Sequence, residues 1–208
     1  MRRNRGREMK VIGLVGGVGC GKSTAAAILE KGYGVRVIIA DKIGHLAMEK
    51  GCETYQQIVT LFGKEILDDG GQIDRKKLGD IVFPQLDKLA ILNGIIHPFV
   101  WRTVKEQINA AEEAGCAFVV LESAILLESS EKGLCDVVFA VTADKEVRFE
   151  RLRASRGYTR EKFEAIMAQQ LSEKELKKQV DVLISNNGNE EALEKQLKEA
   201  VDKFILEV

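Results

Sequence analysis

No two of the four cysteines, Cys20, Cys52, Cys116 and Cys135, form a C-x-x-C pair. That spacing argues against a zinc site and against a disulfide framework. No apolar run approaches the roughly 18 residues of a membrane span, and no apolar segment follows the basic start as a signal peptide would require. Neither an internal repeat nor a low-complexity linker interrupts the 208 residues. An excess of either charge is also missing: 31 Lys and Arg stand against 32 Asp and Glu, for a formal charge of −1. There is thus no electrostatic reason to invoke nucleic acid. The expectation is a protein of the reducing cytosol with no membrane or nucleic-acid partner, and a monomer as the working assembly.

What is present is an ordinary folding composition, 45% hydrophobic and 30% charged, enough for one domain with a well-formed core. Residues 1–8 carry a basic run, Met1-Arg-Arg-Asn-Arg-Gly-Arg7, read as a flexible arm ahead of a domain over 9–208. Short apolar segments ending in glycine or acid recur at Lys10 to Val15, Val35 to Ala40, Ala117 to Leu121, Asp136 to Val141 and Val182 to Ile184. Helical spacing fills the intervals, and Glu190 to Leu206 reads as a final amphipathic helix. Near-continuous apolar strands separated by helices predict an α/β fold, a five-stranded parallel sheet flanked by helices. Two intervals are too long for simple crossovers. Residues 42–115 read as a helical insertion with Asp74 and Pro98 as helix starts, and residues 142–180 as a second helical excursion.

The most specific signal is Gly16-Gly-Val-Gly-Cys-Gly-Lys-Ser23, a G-x-x-x-x-G-K-[ST] loop between a strand and a helix. Gly17, Val18, Gly19, Cys20 and Gly21 let backbone amides curl around an anion, and the helix start adds its positive dipole end. Lys22 reaches the β and γ phosphates of ATP, the Ser23 hydroxyl ligates Mg²⁺, and Thr24 adds a second hydroxyl. Cys20 reads either as a small residue at a variable position or as an oxidisable thiol near a helix N-terminus.

A phosphate loop alone does not separate a kinase from a switch. No N-K-x-D guanine-reading sequence occurs, and Asp41 follows Ser23 by only 18 residues, too few for a γ-phosphate-sensing loop. Asp41 stands at a strand end, where α/β sheets place chemistry. It reads as a base for an attacking hydroxyl, as a help to Mg²⁺, or as a helix cap. Glu122 ends another strand, in the place of a metal-holding acid or of a cap. Arg148, Arg151 and Arg156 fit a lid that neutralises a transferring phosphoryl group, against the alternative of a solvated face. Arg153 and Arg160 read as surface residues.

Together these residues resemble the dephospho-coenzyme A kinase family, over nearly the whole chain. Ile12 to Thr24 is similar to the family's opening. Val37-Ile-Ile-Ala-Asp41 is similar to its second-strand signature, with Ile39 in place of the first acid. Ile81-Val-Phe83 with Leu92, Ile96, His97 and Pro98 is similar to its helical signature. Leu121 to Glu128 follows a further segment, with Glu122 and Ala124 substituted, and Gly157 replaces an aspartate after Arg156. The resemblance implies a P-loop NTPase core with a helical substrate-binding insertion and a helical lid. It implies transfer of phosphate from ATP to the ribose 3′-hydroxyl of dephospho-coenzyme A. Asp41, Lys22 and Arg151 would be catalytic. Arg148, Arg156 and Asn187, in the Asn186-Asn187-Gly188 loop, would meet ATP. Asp41, His97 and Glu122 would hold the acceptor. His97 also reads as a cap or packing residue.

Overall fold

The structure, a computed structural model, describes residues 9–206; the basic run lies outside the described residues. Five strands, β1 (Lys10–Val15), β2 (Arg36–Ile39), β3 (Phe118–Glu122), β4 (Val137–Thr142) and β5 (Val182–Ser185), form one sheet in the order β2-β3-β1-β4-β5. The β1–β3, β1–β4 and β4–β5 pairs are all parallel, with Leu14 opposite Glu122 and Phe139 opposite Val182. Strands buried on both faces cannot alternate with polar residues, so they read as continuous apolar runs. One face, built from Ile12, Leu14, Phe118, Val120, Phe139 and Val141, packs on α1 (Lys22–Tyr33) and α9 (Glu190–Val201). Ala25, Ala26 and Leu29 of α1 and Leu193, Leu197 and Val201 of α9 supply the apolar stripes. Each fully buried Leu or Phe contributes about 1.5–3 kcal/mol. At the amino ends of the strands, Asp136 accepts a bond from Val11 N–H at 2.8 Å and Asp181 one from Val138 N–H at 2.8 Å.

The chain divides into two compact units, the sheet unit (through Ile38 and again from Ile108) and a helical unit (Ile39–Gln107). The helical unit holds α2 (Ala40–Leu46), α3 (Glu53–Phe62), α4 (Arg75–Val82) and most of α5 (Leu86–Glu113). Its own core gathers Ile58, Phe62, Ile66, Ile73, Leu78, Val82 and Leu92. Asp74 caps α4 as the sequence predicts, accepting from Lys76 N–H and Lys77 N–H. Those two amide bonds hold its carboxyl below the usual carboxylate range.

Pro98 is not a helix start. It lies inside the 28-residue α5. A proline there removes the N–H that an α-helix would direct at the Gly94 carbonyl. Apolar residues on both sides, Leu92, Val100 and Trp101, are buried, so tertiary packing outweighs the local breaker. The last helix also differs from expectation. It is α-helical to Val201 and continues as a π turn over Asp202–Leu206, which sets Phe204 edge-on to Phe139 at 6.4 Å.

The excursion between β4 and β5 consists of α6 (Lys145–Arg156), α7 (Arg160–Met167) and α8 (Glu173–Lys177). Thr159 caps α7, and Ser172 with Glu175 forms a capping box on α8.

Candidate active site

The sheet order reverses beside β1, because the chain leaves β1 for β2 on one side and later adds β4 on the other. Such switch points open a crevice at the carboxyl ends of the strands. Gly16 to Thr24 sits there, between β1 and α1. Gly16 has φ 146°, and a Cβ on it would lie 2.3 Å from the Val141 carbonyl oxygen, so the loop can follow β4 only with glycine. Gly21 caps α1 at φ 92° with no side-chain bond, and the first helical bond runs from Ala25 N–H to Gly21 O at 3.0 Å. The amides of Lys22, Ser23 and Thr24 therefore form no bond within the helix, the geometry that suits an anion.

The side chains around the loop take distinct partners. The Lys22 ammonium donates to the Gly16 carbonyl at 2.9 Å and the Gly17 carbonyl at 3.4 Å. Ser23 Oγ donates to Glu122 Oε1 at 3.3 Å, and Glu122 is only 8% exposed at the end of β3. A hydroxyl and a carboxylate oxygen held together are hard donors of the kind Mg²⁺ takes alongside phosphate oxygens. Among the described residues no group of three acidic, Cys or His ligands forms.

Two arginines of α6 turn toward the loop. Arg148, 8% exposed, donates from Nε to the Val18 carbonyl at 2.8 Å and from Nη2 to Gln170 Oε1. Gln170 Oε1 also accepts the Val18 N–H at 3.3 Å. Arg151 donates from Nη2 to Asn186 Oδ1 at 3.4 Å, while its buried Nη1 has no hydrogen-bond partner among the described residues. Asn186, 6% exposed, donates from Nδ2 to the Cys20 carbonyl at 2.8 Å. Arg156 is exposed at the end of α6, ahead of Gly157 at φ 63°. Arg153 pairs with Glu150 and Arg160 with Glu146, both on the surface.

Asn187 is exposed and bonded to Asp144, accepting its N–H at 2.7 Å and donating to its carboxylate at 2.9 Å. The buried neighbour Asn186, part of the same sequence signal, is the one that touches the loop. Gln170 carried no signal in spacing or composition. Cys20, 3% exposed, packs into the sheet core, so the oxidant access that a thiol switch needs is missing. None of the four cysteines is in a disulfide, and burial pushes the Cys135 thiol up to about 12.

In the helical unit Asp41 is exposed, the second residue of α2. The cap position belongs to Ile39, so the capping alternative for Asp41 does not hold. His97 is half-buried inside α5, which removes the cap reading for it as well. Among the described residues no helix is long and apolar enough to cross a membrane.

Comparison with known proteins fits this geometry. The family model described as dephospho-CoA kinase matches residues 10–192. The dephospho-CoA kinase of Carboxydothermus hydrogenoformans is 36% identical over 94% of this chain and 95% of its own. That of Bacillus licheniformis is 41% identical over 93% and 96%. A crystal structure from Thermus thermophilus superposes with a TM-score of 0.82 at 30% identity, covering 95% of this chain and 98% of that one. Shikimate kinase from Acinetobacter baumannii shares the fold alone, with a TM-score of 0.52 at 14% identity over 94% and 92%.

Proposed function

The chain belongs to the dephospho-coenzyme A kinase family, and from that premise we propose that Gly16 to Thr24 hold the triphosphate of ATP while Asp41 takes the proton of the acceptor. The protein is an ATP-dependent phosphotransferase that acts on the ribose 3′-hydroxyl of dephospho-coenzyme A. It gives coenzyme A and ADP, the last step of coenzyme A biosynthesis. The observation that carries the nucleotide half is the start of α1, where helix-terminal amides, the Lys22 ammonium and the bond from Ser23 to Glu122 of β3 come together at one loop.

The hydroxyl proton passes to the Asp41 carboxylate as the 3′-oxygen bonds to the γ-phosphorus. The bond from that phosphorus to the β–γ bridging oxygen breaks, and ADP leaves with the electron pair. Lys22 counters charge on the β and γ oxygens. Ser23 and Glu122 are the residues that would hold Mg²⁺, which when bound would neutralise charge on the same oxygens. The buried Nη1 of Arg151, without a protein partner among the described residues, is a donor for the transferring group. Arg148 acts on the nucleotide through the Val18 peptide that it holds. Arg156 meets ATP as residues 142–180 act as a lid. Asn187, tied to Asp144, steadies the loop beside the adenine. His97 within residues 42–115, together with Glu122, serves the acceptor. The reading extends to a reducing cytosol, supported by the free cysteine thiols.

A coupled ADP-release assay with Mg-ATP tests this. ADP should appear with dephospho-coenzyme A and not with adenosine, nucleoside monophosphates or shikimate. Asp41→Asn should lower kcat by about 10²- to 10⁴-fold with nucleotide affinity nearly intact. An unchanged kcat would remove Asp41 from the proton path.

A further inference from the structure

Gln170 lies 152 residues from Val18 in sequence, yet its Oε1 accepts the Val18 N–H at 3.3 Å and the Arg148 guanidinium Nη2. Arg148 completes the circuit, with its Nε on the Val18 carbonyl at 2.8 Å. Val18 is therefore held at both peptide groups that flank its side chain, the N–H by Gln170 and the carbonyl by Arg148. The fit around the neighbouring residue is close. A Cβ on Gly17 would lie 2.4 Å from Arg148 Nη2 and 2.5 Å from Gln170 Oε1.

Each member has a physical reason to stay in place. A guanidinium as buried as that of Arg148 is costly unless its donors are bonded, and Gln170 satisfies one of them by a charge-assisted bond. Gln170 itself stands two residues before the Ser172–Glu175 capping box, whose bonds of 2.9 Å and 3.3 Å fix the local backbone. It is the oxygen of the amide, and not the nitrogen, that makes both of these bonds.

We propose that Gln170 is a positioning residue for the known reaction. Its side-chain oxygen braces the Gly17–Val18 shoulder of the phosphate loop through Arg148, so that the loop presents its amides to the triphosphate already in shape. Binding to a loop that must first be ordered is weaker by the ordering cost. The brace thus acts on nucleotide affinity and little on the chemical step. The inference rests on the reading that Gly16 to Thr24 hold ATP.

Two variants of nearly constant length test it. Gln170→Met removes the acceptor, and Gln170→Glu keeps one for both donors. In the full-length enzyme, Gln170→Met should raise KM for Mg-ATP about 10-fold at saturating dephospho-coenzyme A, with kcat within about threefold, and should leave KM for the acceptor unchanged when that is measured at saturating Mg-ATP. In unliganded protein, hydrogen exchange of the Val18 amide followed by NMR should accelerate in Gln170→Met and stay slow in Gln170→Glu. A lowered KM for Mg-ATP would overturn the proposal, because Gln170 would then compete with the nucleotide. So would a fall in Tm with KM and Val18 exchange both unchanged, the mark of packing alone. The exchange measurement needs no nucleotide, so its failure is distinct from a failure of wild-type protein to bind ATP at all.

Discussion

The two faces of α6 carry the same residue type to opposite ends. Arg148 and Arg151, three apart and on one side, reach the phosphate loop and the Asn186 amide. Arg153, on the other side, spends its guanidinium on Glu150, and Arg160 at the start of α7 spends its own on Glu146. Burial separates the pairs. A guanidinium kept in water loses little when its partner is removed, whereas a buried one carries the loop's geometry with it. The inner face is therefore placed to serve the proposed reaction, and the outer face the local fold.

The sharpest test of that division is Arg151→Ala. It should lower kcat on the order of 10³-fold, as loss of a transition-state guanidinium does. A change confined to KM for ATP would make Arg151 a binding residue and blur the contrast. Asn186→Ala should act in the same direction at smaller size, about 10- to 100-fold in kcat, by freeing Arg151 and the Cys20 carbonyl. Combined with Arg151→Ala it should add little, since the two share one interaction; full additivity would show that Asn186 serves the loop alone.

The outer face should respond least. Arg160→Ala should leave kcat and both KM values unchanged and lower Tm modestly. Its bond to Arg160 holds the Glu146 carboxyl below the usual range, so this part of the stability is present above the unfolded value of about 4.5. It is lost as pH falls through the lower, folded value. The Tm gap between Arg160→Ala and wild type should accordingly narrow below pH about 4.5. It should not close, because the Arg160 guanidinium also lies over the Phe149 ring at 3.7 Å, a contact indifferent to carboxylate protonation. Lost activity in Arg160→Ala would break the comparison outright.

Much of the fold was legible because its signals are local. Apolar runs of strand length, the glycine loop before Lys22 and Ser23, and the Asp74 cap each depend on neighbours within one turn or one strand. Pro98 misled for the same reason. Its rule describes an isolated helix, and burial of Leu92, Val100 and Trp101 outweighs one lost backbone bond. At the site, Glu122 was readable as an acid at a strand end, but its bond to Ser23 was not. Asn186 and Gln170 bond to loop residues 166 and 152 positions away, and no spacing rule reaches that far.

By itself, then, the amino-acid sequence determined the parallel α/β sheet, the phosphate loop at the head of α1, and the family to which the chain belongs. The first two follow from periodicity and from a motif whose residues are consecutive, the third from a resemblance spread over nearly the whole chain. Tertiary structure alone decided that Arg148 bonds the loop backbone while Arg156 stays exposed, and which asparagine of a pair is buried. It also decided that a glutamine without any motif closes the circuit around Val18. The physical reason is that hydrogen bonding to a buried backbone group depends on where packing brings the donor, a property of the assembled sheet and helices and of no single segment.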